Sequence, residues 1–198
     1  MKTENAAAQE STGAVVLRGS RLDEICKAKG HYHFRCIDKD GNLKWEDTID
    51  NIVCTEGKNL MLDCALGANV AVVGPFMGLI SSVGYTAVAV GDTAAQINGT
   101  NGWKEAGSST NFPLYTTPRK TCVWSAAAAG AKALSAALSF PIITTGGTVK
   151  GVFIIFGTGA VSTIADVNGK LWSVGLFTGG DKIVAAGDTL QVSYSTSL

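Results

Sequence analysis

Charge is scarce in this chain. Only 16% of its residues are Asp, Glu, Lys or Arg, against roughly 25% in ordinary soluble domains. The 16 basic and 16 acidic residues cancel, so there is no basic footprint for nucleic acid or for an anionic membrane. Histidine is limited to His31 and His33. No serine sits in a G-x-S-x-G elbow, and no cysteine pair has the short spacing of a zinc finger. No Gly-Lys-Ser/Thr follows the paired glycines at 146/147 and 179/180, which excludes a phosphate-binding loop. The first 13 residues hold no apolar run like that of a secretory signal. The five cysteines, Cys26, Cys36, Cys54, Cys64 and Cys122, are odd in number. Free, buried thiols in a protein made in a reducing cytoplasm are the expectation.

What charge exists is unevenly placed. Residues 1–60 hold 19 of the 32 charged side chains, and residues 61–198 hold 13. A wet first part therefore gives way to a weakly polar body rich in Gly, Ala, Ser, Thr and Val. A compact body of this length buries roughly 70% of its unfolded surface, enough for a real core. No charge occurs from residue 64 to 91, a stretch long enough to raise a membrane span. Asn69, Pro75, Gly67, Gly74, Gly78, Gly84 and the serines at 81 and 82 interrupt it. Breakers at that density predict strands and turns of a soluble protein.

The clearest local pattern is at residues 31–53. Tyr32, Phe34 and Cys36 alternate with His33 and Arg35, the period of a half-buried strand. Asp40-Gly41 supplies a tight turn, and 43–53 returns carrying Trp45, Ile49 and Val53. Residues 58–66 are the best helix, with Leu60, Met61, Cys64 and Ala65 on one face and Gly67 to end it. Strands are predicted at 75–82, 121–125, 132–140, 149–156, 161–167, 171–174 and 189–197. Turns are predicted at 91–93, 98–102, 168–169, 178–181 and 186–188. Residues 14–18 form a short apolar run, and 20–29 has room for one or two helical turns. Many short strands punctuated by turns predict a mainly β fold. The expected arrangement is a β-sandwich or jelly-roll-like body over 31–198, with one short helix and an extended N-terminal arm over 1–30. Gly-Asp-Thr recurs at 91–93 and 187–189, too short to establish a repeat.

Candidate chemistry is thin. Cys26, His31, His33 and Cys36 lie within eleven residues and are zinc-type ligands, but a strand would point His31 and His33 one way and Cys36 the other. The competing reading, a wet histidine face above a buried cysteine, is preferred. Asp38, Asp40, Asp47 and Asp50 sit around the hairpin, and Asp92, Asp166, Asp181 and Asp188 at other turns, where structural roles explain them. Trp103, Trp124, Trp172 and Tyr115 are candidates for a sugar-stacking face or for the core. Core is favoured for Trp124, while Trp103 and Tyr115 stay open as a glycan face. No catalytic, cofactor-binding or metal-ligating residue is assigned, and the chain is read as non-enzymatic.

The order of several short motifs resembles a known family. The hairpin from Phe34 to Trp45 leads into Asp50-Asn51-Ile52-Val53 and the segment 57–66. Then come Met77-Gly78-Leu79, Gly102-Trp103-Lys104-Glu105 and Arg119-Lys120-Thr121. Segments 147–153, 169–173 and 177–182 follow, and Gly187-Asp188-Thr189-Leu190 opens the closing strand. Over residues 31–198 this is similar to a family of small structural proteins of tailed-bacteriophage virions, of the head decoration (cement) or minor tail and fibre type. The resemblance implies a protein assembled in the bacterial cytoplasm and resident in the virion. Its partners would be the major capsid protein and further copies of itself, as in a trimer, with no cofactor, nucleic acid or membrane. A tail, collar or fibre protein touching the host surface is the alternative. A virion-borne hydrolase is a distant third.

Overall fold

Strand β1 (Lys29–Ile37) runs into the hairpin read from the sequence and returns as β2 (Leu43–Val53). Asp38 builds the turn: its Oδ1 accepts the N–H groups of Asp40 at 2.9 Å and Asn42 at 2.8 Å, and Gly41 takes φ +89°. Only glycine adopts that conformation at no steric cost. The N–H of Asn42, with help from that of Asp40, holds the Asp38 carboxyl below its ordinary range. Burial along β1 alternates strictly, with Tyr32, Phe34 and Cys36 inward.

The structure is a computed structural model and describes residues 28–67, 72–99, 102–116 and 118–197. The expected arm, with the apolar run at 14–18, the helical turns before residue 28 and Cys26, lies outside the described residues. The first described strand begins at Lys29, inside the stretch expected as arm. After β2 come the helix α1 (Thr55–Ala65), β3 (Phe76–Ser81), a 3-10 turn (Ala94–Gln96) and β4 (Lys120–Thr121). β5 (Ala131–Ala133), β6 (Leu138–Pro141), β7 (Gly147–Phe156), β8 (Lys170–Leu176), β9 (Lys182–Val184) and β10 (Thr189–Ser197) complete the series.

The fold is mainly β, with one short helix, as the sequence predicts. The strands run β4-β3-β7-β8-β2-β1-β10-β5, with β6 also on β10 and β9 also on β7. Every pairing between these strands is antiparallel. The layers are two halves of one curled sheet, and β2 belongs to both. Its residues Leu43–Asp50 pair with β1, while Asn51–Val53 pair with β8. Strands that switch sheets in this way make the corners of sandwiches.

Between the halves lies the main core. β1 and β10 contribute Tyr32, Phe34, Leu190, Val192 and Tyr194, and β7 contributes Val149, Val152 and Ile154. A bulge opposite Ile154 and Ile155 turns both Trp172 and Ser173 inward, where Ser173 bonds the Tyr32 hydroxyl. A second apolar layer lies on the outer side of β7 and β8: Phe153, Ile155, Leu171 and Val174, with Ile80, Ile97, Trp103 and Ala160. β7 is therefore buried on both faces, which explains why its sequence is a continuous apolar run. Gly78 permits this double burial, because a Cβ there would stand 2.5 Å from the Phe153 ring and 2.6 Å from Glu105 Oε1.

Four local expectations are corrected. α1 starts at Thr55, and only Gly57 and Leu60 are buried, with Cys64 and Ala65 exposed. Its N-cap Cys54 makes no side-chain cap bond, so no sequence signal marked the start. Residues 161–167 form no strand; carbonyls at Val161 and Asp166 are tied instead to Arg119. Residues 132–140 bend at 135–137, giving β5 and β6, which pair with different stretches of β10. Of 121–125, only Thr121 joins a strand, and Trp124 bridges singly to Leu134. No helix among the described residues is long and apolar enough to cross a membrane.

Candidate functional site

The main core is not closed at both ends. Met61, Trp124, Phe156, Ile154 and Trp172 belong to or pack on it, and the same side chains line a cleft of about 470 Å³. Each element reaches the cleft for a local reason. α1 presents Met61 and Cys64 one turn apart, and Pro75 leads into β3. Trp124 is held beside β5 by its bridge to Leu134 and stacks edge-on against Tyr194 at 5.8 Å. Thr196 and Ser197 form the wall from β10, and among the described residues Lys132 is the one charged side chain in the lining. Val72 in the lining is exposed, as are Leu66 (82%), Val73 and Val123 (61%), close in sequence to lining residues Cys64, Val72 and Trp124. Exposed apolar surface of this kind marks a face that something covers.

The sequence candidates for chemistry are dispersed. His31 and His33 do share the outer face of β1, but each is paired with a carboxylate on β2. His31 Nδ1 lies 2.6 Å from Asp50 Oδ1, and His33 Nε2 lies 2.8 Å from Glu46 Oε1. Cys36 points to the opposite face, into the core. Among the described residues, no three His, Cys, Asp or Glu side chains gather where they could hold a metal ion. Asp47 pairs with Lys182, Asp181 with Lys150, and Asp166 caps its own turn at Asn168. Trp103 and Tyr115, left open as a sugar-stacking face, are both fully buried, so neither ring is available to a glycan. Trp124, favoured for the core, packs on it and is half-buried at the cleft, and Trp172 is buried.

The two Gly-Asp-Thr triplets share a local device. Ala89 donates its N–H to Asp92 Oδ2 at 3.0 Å, and Ala185 donates to Asp188 Oδ2 at 2.7 Å. In return, each aspartate N–H donates to the carbonyl of that alanine. The first turn feeds a 3-10 turn and the second feeds β10, so the likeness ends there. Asp188 is buried and is also paired with Lys44 and Cys36.

One arrangement escaped the sequence reading. Arg119, 1% exposed, grips Glu105, which is 0% exposed, through two parallel bonds of 2.8 and 2.7 Å. Glu105 also accepts the Ala165 N–H at 2.7 Å, and the Arg119 carbon lies 5.3 Å from the Phe153 ring centroid. Burial pushes the Glu105 carboxyl up, against the pull of the Arg119 guanidinium. Glu105 and Arg119 are the one Glu and the one Arg of residues 61–198, which was the available signal. The pair is sealed away from the cleft and from solvent, which is a structural arrangement rather than a reactive one.

The buried thiols are inert by the same physics. Burial, then the Asp188 charge, pushes Cys36 up to about 11; burial, then Asp92, pushes Cys54 up to about 12; burial alone takes Cys122 to about 12. At about pH 8 the thiolate fraction at each is on the order of one part in a thousand or less. A maleimide applied to the native protein is therefore expected to leave all three unmodified, and to modify them after unfolding. Peptide mapping checks this, and native modification of any one would contradict the burial described.

Compared with family models, curated proteins and solved structures, the chain matches none.

Proposed function

We propose that this chain is a non-enzymatic structural protein of a tailed-phage virion: a capsid decoration protein that binds the outer capsid as a homo-oligomer and stabilises the head. The observation that carries the reading is the surface. Of the 13 charged residues in 61–198, Glu105, Arg119 and Asp188 are buried, so ten remain to solvate that region. With an apolar cleft and exposed aliphatic residues at one end, such a surface is suited to being covered by a partner. The family resemblance over 31–198 supplies the identity of that partner, the major capsid protein. Contacts that span neighbouring capsomers add buried area and oppose the pressure of packaged DNA. No nucleic acid, membrane or cofactor enters the mechanism.

The alternative, a tail, collar or fibre protein, predicts a glycan face built around Trp103 or Tyr115, and both of those rings are buried. The test is to count and place the chain in purified virions by quantitative mass spectrometry and particle imaging. A capsid decoration protein is present in many copies on the head. A handful of copies per particle, or density only on the tail, would overturn the capsid reading.

A further inference from the structure

The cleft at the open end of the core is lined mainly by apolar side chains, and the first described strand starts beside its wall. The inward-facing positions of β1 run Cys36, Phe34, Tyr32 and Gly30, and the next position in that series, Ala28, packs on the same core. Lys29 pairs with Ser197, and the Thr196 hydroxyl bonds the Lys29 carbonyl at 2.7 Å. Thr196 and Ser197 are themselves cleft wall. The described chain therefore starts next to the cleft wall.

We propose that the apolar run Ala14-Val15-Val16-Leu17 of the same chain fills this cleft. Within residues 1–27 it is the only run of consecutive branched aliphatic residues. The flanking residues 18–27 carry Arg18, Arg21, Asp23, Glu24 and Lys27, five charges against a lining that is mainly apolar and whose one charge among the described residues is Lys132. Ten residues join Leu17 to Ala28, and extended they span up to about 36 Å, more than a rim-to-cleft path requires. A tether of that length holds the run at an effective concentration on the order of millimolar, which favours the same chain over a neighbour in dilute solution. The cleft volume of about 470 Å³ is that of a site able to enclose several side chains.

Cys64 lines the cleft and is exposed, so it reports on the occupant. In the full chain carrying Cys26→Ser, Val16→Cys is compared with Ser11→Cys, which puts the thiol outside the run. Oxidised glutathione supplies the two-electron oxidation. The expected result is a disulfide from position 16 to Cys64 within one chain, formed at least about tenfold faster than from position 11, a preference set by held geometry. Intact mass, non-reducing electrophoresis and peptide mapping read it. Equal rates from both positions, or disulfide-linked dimers in its place, overturn the proposal. A second measurement needs no new thiol. Val15→Asp with Val16→Asp in the otherwise unaltered chain is expected to raise the fluorescence of bound anilinonaphthalene sulfonate several-fold, and unchanged fluorescence overturns the proposal. Both results are required.

Discussion

Replacing Arg119 with alanine is expected to lower the free energy of unfolding by about 3–5 kcal/mol, the range seen when one partner of a buried ion pair is removed. The total stability of a domain is about 5–15 kcal/mol, so the variant should be close to unfolding. The cost arises because Glu105 stays behind. It is fully buried, and without Arg119 the Ala165 N–H is the one hydrogen-bond donor left to it among the described residues. Arg119 also donates to the carbonyls of Val161 at 3.2 Å and Asp166 at 2.6 Å, so its loss frees the 157–169 segment. Urea unfolding measures the first effect, and amide hydrogen exchange across 160–168 the second. Arg119→Met combined with Glu105→Leu should recover most of the loss, since paired apolar side chains carry no buried charge. A single variant within about 1 kcal/mol of the parent would show that water reaches the pair.

Trp103→Ala is the second large effect, expected to cost about 3–5 kcal/mol through lost burial and the cavity left behind. The ring is fully buried in the outer layer, 5.1 Å from the Phe153 ring centroid, with its Nε1 directed at Asp92. Trp103→Phe keeps most of the apolar volume and should cost distinctly less. If Trp103 belonged to a sugar-binding surface, alanine would change glycan binding while leaving the denaturation midpoint near that of the parent. A shift of the midpoint by this amount, read by urea unfolding, distinguishes the two roles.

The parts of the fold that were legible share one property. β1, β2 and β10 have one wet face, so Tyr32, Phe34, Leu190, Val192 and Tyr194 announce their direction by alternation alone. β7 was legible as an unbroken apolar run, because both of its faces are covered. The 161–167 segment was not legible, because what shapes it is Arg119, more than forty residues away. Val161, Ile164 and Val167 have the residue types of a strand without a neighbour to pair with. Trp103 and Tyr115 could not be placed from the sequence for a related reason. Such a ring is equally suited to a core and to a binding face, and only the covering segments decide. The cleft draws its lining from α1, the Pro75 turn, β5, β7, β8 and β10, so no local pattern could have shown it. Its general character, a surface short of charge, was visible in composition.

The pairing of β1 with β10 has a consequence for how the molecule comes into being. Lys29 finds its partner at Ser197, and β10 lies between β1 and the strands β5 and β6. Until residues 189–197 have been made, β1 has one neighbour fewer, and β5 and β6 have none of the pairings described for β10. Ribosomes add about 5–20 residues per second, so the hairpin of β1 and β2 waits many seconds with its apolar face uncovered. Long-range antiparallel pairing is itself slow, on the order of milliseconds to seconds. The nascent chain thus depends on escaping aggregation during an interval set by translation, and a chain interrupted before Thr189 would never leave it.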